Sequence, residues 1–260
     1  ARQVADQARI FACSAALTFA YDGFDSFIRA IVREDWLLFS DRTREIATKS
    51  VTKPGKVAYS MAERFEVVAQ ELNIVNPLNT AAVELFTKWR NVIVHDREDS
   101  KRGISTISEE TLSSSADYFH TKYSHLDIRL ALKNFKARKM PVPKEATSLI
   151  ALSQNVARTI DEAAVKRVSL TSTDFENATL TILRQHYQTQ KGRHPTPIAA
   201  VTEAWQGDVR RRETNLGRIL VNLGISCNQR NPVSAPLPAD FLSRMAQLDL
   251  EEFIKTIGIQ

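Results

Sequence analysis

Helical periodicity along nearly all of the 260 residues is the feature that most restricts what this chain can fold into. Apolar residues recur three or four positions apart, and no segment shows the alternation that is typical of a strand. Only 8 glycines are present and the 9 prolines fall at a few points, so long stretches lack helix breakers. The sequence therefore predicts an all-α protein without internal repeats.

Composition narrows the class of protein without identifying a partner. Hydrophobic residues make up 43% of the chain and charged residues 25%, which is ordinary for a water-soluble globular protein. The net charge of +5 permits a polyanionic partner but does not require one. Two cysteines, Cys13 and Cys227, are too few and too far apart for a disulfide framework, which favours a reducing, cytoplasmic location.

The apolar run from Ile10 to Tyr21 needs its own interpretation. It is too short to cross a bilayer. Asp6 precedes it, and acidic residues follow it where a signal peptide would carry its cleavage site. We interpret the run as a buried helix that includes Cys13, and we predict no membrane association.

Turn and capping signals divide the chain into nine predicted helices. The signals are Gly23, Pro54-Gly55, Asn76-Pro77, Thr106 with Glu109, and Thr173 with Glu176. The predicted helices cover residues 1–20, 24–48, 56–72, 77–95, 106–139, 144–168, 174–189, 196–223 and 239–257. Residues 96–103 are predicted to form a charged loop, and residues 228–238 a linker.

A stiff break at Met140-Pro141-Val142-Pro143 is the best candidate for a domain boundary, because each proline also restricts the residue before it. It divides the chain into a helical bundle of residues 1–140 and a helical accessory region of residues 141–260, which packs on the first or stands apart. A single continuous helical array is the alternative.

The segment Arg90-Asn91-Val92-Ile93-Val94-His95 contains the candidate chemistry. Projected onto a helix, one arc is the predicted core face: Ala82, Leu85, Phe86, Trp89, Val92 and Ile93. The other arc is polar: Glu84, Thr87, Lys88, Asn91 and His95, with Arg90 at its edge. Arg90 and His95 lie about 140° apart around the helix and about 7.5 Å apart along it. The two side chains of one helix are therefore poorly placed to contact the same phosphate. This predicts a homodimer in which a two-fold axis brings a second copy to complete the site.

These residue types suit the cleavage of RNA. The 2′-hydroxyl attacks the adjacent phosphorus, a base takes its proton, an acid protonates the departing 5′ oxygen, and a cation stabilises the phosphorane. His95 titrates near neutrality and serves as base or acid. Arg90 stays charged and holds two phosphate oxygens, and Asn91 orients the histidine or the phosphate. Because the nucleophile belongs to RNA, this chemistry needs no metal or other cofactor, and DNA is inert.

The same segment resembles the signature of the HEPN superfamily, all-α proteins that include many RNases. In that signature an Arg, usually followed by a polar residue, precedes a His after four to six positions. Residues 62–74 followed by Asn76-Pro77 resemble the helix and connection before the motif helix. The resemblance covers about residues 1–140 and implies a HEPN-like bundle in which Arg90 and His95 are catalytic and Asn91 is accessory.

The resemblance also implies dimerisation that assembles the site, metal-independent RNA cleavage, and use as a toxin or in antiviral defence. Residues 141–260 carry no resemblance and are predicted to bind RNA, an antitoxin or another regulator. The spacing of Arg90 and His95 is common by chance, so other readings stay open. Arg90 and His95 could simply be polar residues exposed to solvent at the end of a helix. A HEPN-like fold could also be used only for binding. For the whole protein, the alternatives are a non-catalytic helical interaction module and a helical nucleic-acid-binding regulator.

Further polar clusters are candidates for binding. Arg129, Lys133 and Lys136 recur at helical spacing and either follow an RNA backbone or form a solvated face. Arg210, Arg211 and Arg212 lie near Trp205, which either stacks on a base or belongs to the core. A metal site at Asp96, Glu98 and Asp99 is less favoured than a charged loop. The remaining histidines are predicted to be structural or surface residues: His120, His125, His186 and His194.

Overall fold

The computed structural model describes residues 2–49, 59–94, 103–123, 125–189, 194–225 and 235–259. Across these ranges the chain is helical and forms no strand, which confirms the all-α prediction. The helices are α1 Arg2–Ile31, α2 Asp41–Thr48, α3 Met61–Glu71, α4 Pro77–Val94, α5 Thr106–Ser114, α6 Ala116–Lys122, α7 Ile128–Lys136, α8 Pro143–Val168, α9 Ser172–Thr189, α10 Pro197–Ala204, α11 Val209–Asn222, α12 Phe241–Gln247 and α13 Leu250–Ile257. A 3-10 helix, Asp35–Leu37, follows α1.

α1 continues through Gly23, where the sequence predicts a break. Gly23 is helical, and nothing lies within 4 Å of the position that a Cβ would take. Gly23 therefore destabilises the helix only through backbone entropy and does not interrupt its hydrogen bonds. Phe24 and Ile28, in the next turn, are buried and hold this part of the helix against the core. The predicted helix 24–48 is instead the end of α1, the 3-10 helix and α2.

The first half of α1 is not the buried helix that its apolar run predicts. Leu17 is fully buried, but Phe11 is 75% exposed and Phe19 81% exposed. Cys13 is half-buried and carries a free thiol. Apolar composition shows that such a face is suited to burial, but it does not supply the surface that covers it.

The predicted helix 106–139 is divided into α5, α6 and α7. Ser105, not Thr106, is the N-cap of α5, because its Oγ accepts from the backbone N–H of Ser108. Asp127 caps α7 by accepting from the N–H of Leu130 across 2.9 Å. The Asp127 cap therefore starts a new helix within a stretch that apolar spacing alone does not divide.

Capping also divides the later helices. Thr171 and Asp174 bond reciprocally at the start of α9, two residues before the predicted capping box. Gly207, with φ +101°, and the N-cap Asp208 separate α10 from α11. Asp249 forms a capping box that starts α13. The start of α4 agrees with the prediction, since Asn76 Oδ1 accepts from the N–H groups of Leu78 and Asn79.

The chain forms two compact units. The first comprises Ala1–Arg33 and Phe39–Ala163, and the second Glu34–Leu38 and Ala164–Gln260. The predicted boundary at residues 140 and 141 falls between α7 and α8, inside the first unit.

In the first unit, α4 lies at the centre and contacts α1, α3 and α5. Phe86 and Trp89 of α4 are fully buried, as is Phe65 of α3. Trp89 Nε1 donates to the carbonyl of Lys139 across 3.1 Å, so this large side chain is buried without a lost hydrogen bond. These contacts fix the end of α4 that carries Arg90.

In the second unit, α9 contacts α10 and α13, and α11 contacts α12. Trp205 and Phe253 stack with ring centroids 3.5 Å apart at the middle of this core. Trp205 Nε1 donates to the carbonyl of Leu248. The second unit thus has a core with its own aromatic centre.

Candidate functional site

Arg90 lies near the C-terminal end of α4, with its side chain 20% exposed. The preceding turn contains Phe86 and Trp89, which are fully buried and fix the helix against its neighbours. Asn91, the next residue, is half-buried. Thr87 differs from the predicted polar arc: it is 2% exposed, and its hydroxyl donates to the carbonyl of Val83.

α1 supplies the surroundings of Arg90. The guanidinium carbon lies over the ring of Tyr21, 4.8 Å from its centroid, which is a cation–π contact. Arg90 Nη2 donates to Asp22 Oδ1 across 3.4 Å, and Nη1 to Asn91 Oδ1 across 3.5 Å. Asp22 is 59% exposed, so solvent weakens its ion pair with Arg90. The face of the Tyr21 ring and two long hydrogen bonds are therefore among the interactions that hold the arginine.

Burial raises the pKa of Tyr21, and the neighbouring carboxylate of Asp25 raises it further, while Arg90 and Arg64 oppose the change. The phenol therefore stays protonated at neutral pH. Its contact with Arg90 is that of a neutral ring with a cation and not an ion pair with a phenolate.

A second polar cluster lies beside Tyr21 and joins α1 to α3. Arg64 Nη1 donates to Asp25 Oδ1 across 2.6 Å, and Arg29 Nε donates to Asp25 Oδ2 across 2.8 Å. Arg64 Nη2 also donates to the carbonyl of Lys49. Each carboxylate oxygen of Asp25 thus has an arginine partner, which fixes the helix that carries Tyr21 and Asp22.

Sequence reasoning missed Tyr21 and Asp22 as neighbours of Arg90, and Asp25 as the residue that fixes this part of α1. All three lie 65 or more positions before Arg90, and Tyr21 and Asp22 enter the site only because α1 contacts α4. The signal available in the sequence was the acidic Asp22 directly after the apolar run that ends at Tyr21.

The other predicted catalytic residue, His95, lies outside the described residues, as do Asp96, Glu98 and Asp99. Its position relative to Arg90 stays a prediction. Among the residues that are described, no group of three or more His, Cys, Asp or Glu side chains is placed to hold a metal ion.

The basic residues Arg129, Lys133 and Lys136 are exposed on α7, in the first unit. Arg129 Nε donates to the carbonyl of Ser113 across 3.2 Å, and Lys136 forms an ion pair with Glu109. Two of the three cations therefore have local partners that an RNA phosphate would have to displace.

The cluster in the second unit divides into two kinds of residue. Arg210 and Arg211 are exposed, whereas Arg212 donates to the carbonyls of Trp205 and Leu248. Trp205 is 4% exposed and is covered by Phe253. The core interpretation of Trp205 is confirmed, and base stacking on this side chain is excluded in the described conformation.

His120 and His125 lie together, although a helix at their spacing would separate them. α6 ends at Lys122, and His125 takes a left-handed backbone with φ +65°. The ring of His125 comes within 3.2 Å of His120 Nε2. Both side chains are exposed, as the sequence predicts.

The other two described histidines lie in the second unit. His194 is mostly buried and contacts Glu203. Burial lowers the pKa of His186.

An apolar groove runs along α1 beside Arg90. Its volume is about 680 Å³. Ile93 and Met140 line it, together with side chains of α1. The α1 side chains come from four successive turns: Gln7, Ile10, Phe11, Ser14, Ala15, Thr18, Phe19 and Asp22. Asp22 both lines the groove and contacts Arg90. We call this surface the α1 groove.

Comparison with known proteins adds no relative: no protein-family model, curated protein or solved structure matches the chain. Within the described ranges, no helix combines the length and apolarity needed to cross a bilayer.

Proposed function

We propose that the protein is a HEPN-type endoribonuclease, which cleaves RNA by attack of a 2′-hydroxyl on the adjacent phosphorus without a metal ion. The observation that carries this proposal is the guanidinium of Arg90, held at the end of α4 by Tyr21 and Asp22. Half-buried arginines with oriented donors are suited to a charged phosphorane, because a partly dry site strengthens the attraction.

In this mechanism Arg90 donates to the non-bridging phosphate oxygens and stabilises their charge as the 2′ oxygen attacks. The phosphate takes the place of the weak, solvent-exposed partner Asp22. Asn91 lies beside the guanidinium and can hold either the same phosphate or His95.

His95 is proposed as the general acid or base, five residues after Arg90 in the sequence. As the base it takes the 2′ proton, and as the acid it returns a proton to the 5′ oxygen. The products are a 2′,3′-cyclic phosphate and a 5′-hydroxyl. No covalent enzyme intermediate and no co-reactant are needed.

A second copy of this chain is proposed to dock on the α1 groove and so complete the site. Phe11 and Phe19 expose large apolar surfaces there, which favours a protein partner over water. Ile93 and Asp22 line the groove and flank Arg90, so a copy seated on it meets the site directly. The helical projection of Arg90 and His95 gives the independent reason for a composite site.

The wider setting is proposed from the same activity. An RNase of this kind in the cytoplasm acts as a toxin or antiviral effector and needs an antitoxin or other regulator. Exposed cations of each unit are proposed as separate RNA contacts: Arg129, Lys133 and Lys136 in the first unit, and Arg210 and Arg211 in the second.

The decisive experiment incubates the purified protein with total RNA in EDTA, beside the variants Arg90→Ala and His95→Ala. Arg158→Ala and His125→Ala are matched controls, because both residues are exposed and lie outside the proposed site. We expect cleavage that leaves 2′,3′-cyclic phosphate ends in the wild type and controls, and a loss of at least about 100-fold in both site variants.

Intact RNA in the wild-type reaction, with an activating lysate also present, would overturn the nuclease and favour the non-catalytic interaction module. Cleavage that persists undiminished in Arg90→Ala and His95→Ala would refute the catalytic roles proposed for these two residues. A substrate with 2′-O-methyl groups tests the nucleophile, since it binds but cannot be cut.

The dimer is tested by sedimentation. We expect a mass twice the chain mass of 29.3 kDa, shifted toward monomer by Phe19→Ser, with a parallel loss of cleavage. Leu130→Ser is the control, because Leu130 is also an exposed apolar residue but lies on α7, away from the groove. Full activity in a strict monomer would refute the composite site.

A further inference from the structure

We propose that Tyr21 is the positioning residue for Arg90, and that the face of its ring holds the guanidinium where it meets the RNA phosphate. The proposal rests on the proposed function for its meaning in catalysis. The contact between the two side chains can be tested without any RNA.

Tyr21 is well placed to act as a support. Its ring lies 5.8 Å from that of Phe86 and also beneath the guanidinium of Arg90, 4.8 Å from ring centroid to Cζ. Phe86 and Arg90 are four residues apart on α4 and therefore share a face. Because Phe86 is fully buried, the ring is held between the core and the site.

The nature of a cation–π contact explains why a ring suits this role. A cation over a ring is attracted through its flat face. A cation–π contact needs no hydrogen bond from the N–H donors of the guanidinium, so it competes with phosphate recognition less than an acceptor group would. A carboxylate support would instead use the edge that the phosphate needs.

Asp22 supplies that edge contact in the absence of RNA, through one oxygen at 3.4 Å on a side chain that is 59% exposed. When a phosphate displaces it, Arg90 loses an anchor. We expect the ring contact with Tyr21 to persist, because a cation–π attraction does not depend on the hydrogen bond that Asp22 accepts. Tyr21 therefore keeps Arg90 in place during the exchange.

The first test uses NMR of the full chain without RNA. The Arg90 side-chain signal is assigned by its loss in Arg90→Lys, and we expect the ring current of Tyr21 to move it upfield. Tyr21→Phe should keep this shift and Tyr21→Leu should abolish it. An Arg90 signal that Tyr21→Leu leaves unchanged would overturn the proposal, whatever the RNA assay shows.

The second test measures cleavage. We expect kcat/KM to fall about 10-fold in Tyr21→Leu and to stay within about twofold in Tyr21→Phe. Tyr118→Leu, a change of an exposed tyrosine on α6, is the control and should have no effect. Equal losses in the Phe and Leu variants would overturn the role of the ring face.

A third variant guards against a folding defect in Tyr21→Leu. Trifluorophenylalanine at position 21 keeps the shape of the ring but weakens its attraction for a cation. We expect kcat/KM below that of Tyr21→Phe, with an unchanged melting temperature. Activity equal to that of Tyr21→Phe would contradict the cation–π role. If the wild type cleaves no RNA, the proposed function fails while the NMR test still decides the contact.

Discussion

Asp25 of α1 accepts a hydrogen bond from Arg64 of α3 across 2.6 Å, in a part of the first unit that is largely closed to solvent. The Arg64 side chain is 7% exposed and that of Asp25 is 18% exposed. This pair fixes α1 one turn beyond Tyr21 and Asp22, so the site depends on it without containing it.

We expect Asp25→Asn to lower the free energy of unfolding by about 3 kcal/mol, because it leaves a buried guanidinium without a counter-charge. Urea denaturation measures the change. Asp6→Asn is the control: its ion pair with Arg9 is exposed, and its loss should cost less than about 0.5 kcal/mol. Equal effects of the two substitutions would show that the Arg64 pair is not a specific anchor.

Asp22→Asn should strengthen the binding of RNA. The carboxylate of Asp22 competes with phosphate for Arg90, so its removal should strengthen binding of a 2′-O-methyl RNA about two- to fivefold at low salt. Fluorescence anisotropy measures the affinity, and the gain should shrink as salt rises. Weaker binding by Asp22→Asn would mean that Asp22 holds Arg90 in its active position.

Gly23→Ala should stabilise the protein by about 0.5–1 kcal/mol. Gly23 is in the interior of α1, exposed, and has no atom within 4 Å of the added methyl group. The substitution therefore reduces the entropy of the unfolded chain without a clash. Chemical denaturation measures the gain. Gly207→Ala, where φ is +101° and Arg211 lies 2.7 Å from the added atom, should instead destabilise.

The buried Tyr187 should make the second unit less stable at alkaline pH. Burial raises its pKa from 10.0 to about 12, so the folded state keeps a proton that the unfolded state releases. This contribution is present in full below pH 10 and is lost as the pH rises toward 12, by about 2 kcal/mol.

Tyr187→Phe should remove that part of the pH dependence. The hydroxyl of Tyr187 is buried and has no hydrogen-bond partner among the described residues, so its removal should leave stability at pH 7 equal or slightly higher. Unfolding curves at pH 7, 9 and 11 for both proteins test this. Parallel losses between pH 9 and 11 would show that the tyrosine does not titrate in this way.

Helical class and several helix bounds follow from the sequence, because periodicity and local caps are properties of neighbouring residues. α4 and α8 begin within one residue of the predicted positions. The predicted helices were wrong where the apolar spacing continues without interruption past a residue that caps a new helix. This occurs at Asp127, Asp208 and Asp249. There a local hydrogen bond starts a new helix on an uninterrupted pattern.

The site was predictable only in part. Arg90 and Asn91 stand out by their spacing, but Tyr21 and Asp22 join them through contacts between distant helices, which one sequence does not specify. The apolar run of α1 likewise gave no way to distinguish a covered face from an open one, and Phe19 proves to be open.

Glu84 of α4 accepts hydrogen bonds from the backbone N–H and hydroxyl of Ser105 and from the hydroxyl of Ser108. α4 and α5 also contact each other directly. The chain between Val94 and Ser105, which includes His95, is therefore joined at both ends to one fixed pair of helices. A proteolytic cut within it would leave two fragments held together by that pair, so the protein lends itself to reconstitution from separately expressed halves, with Arg90 on one and α5 on the other.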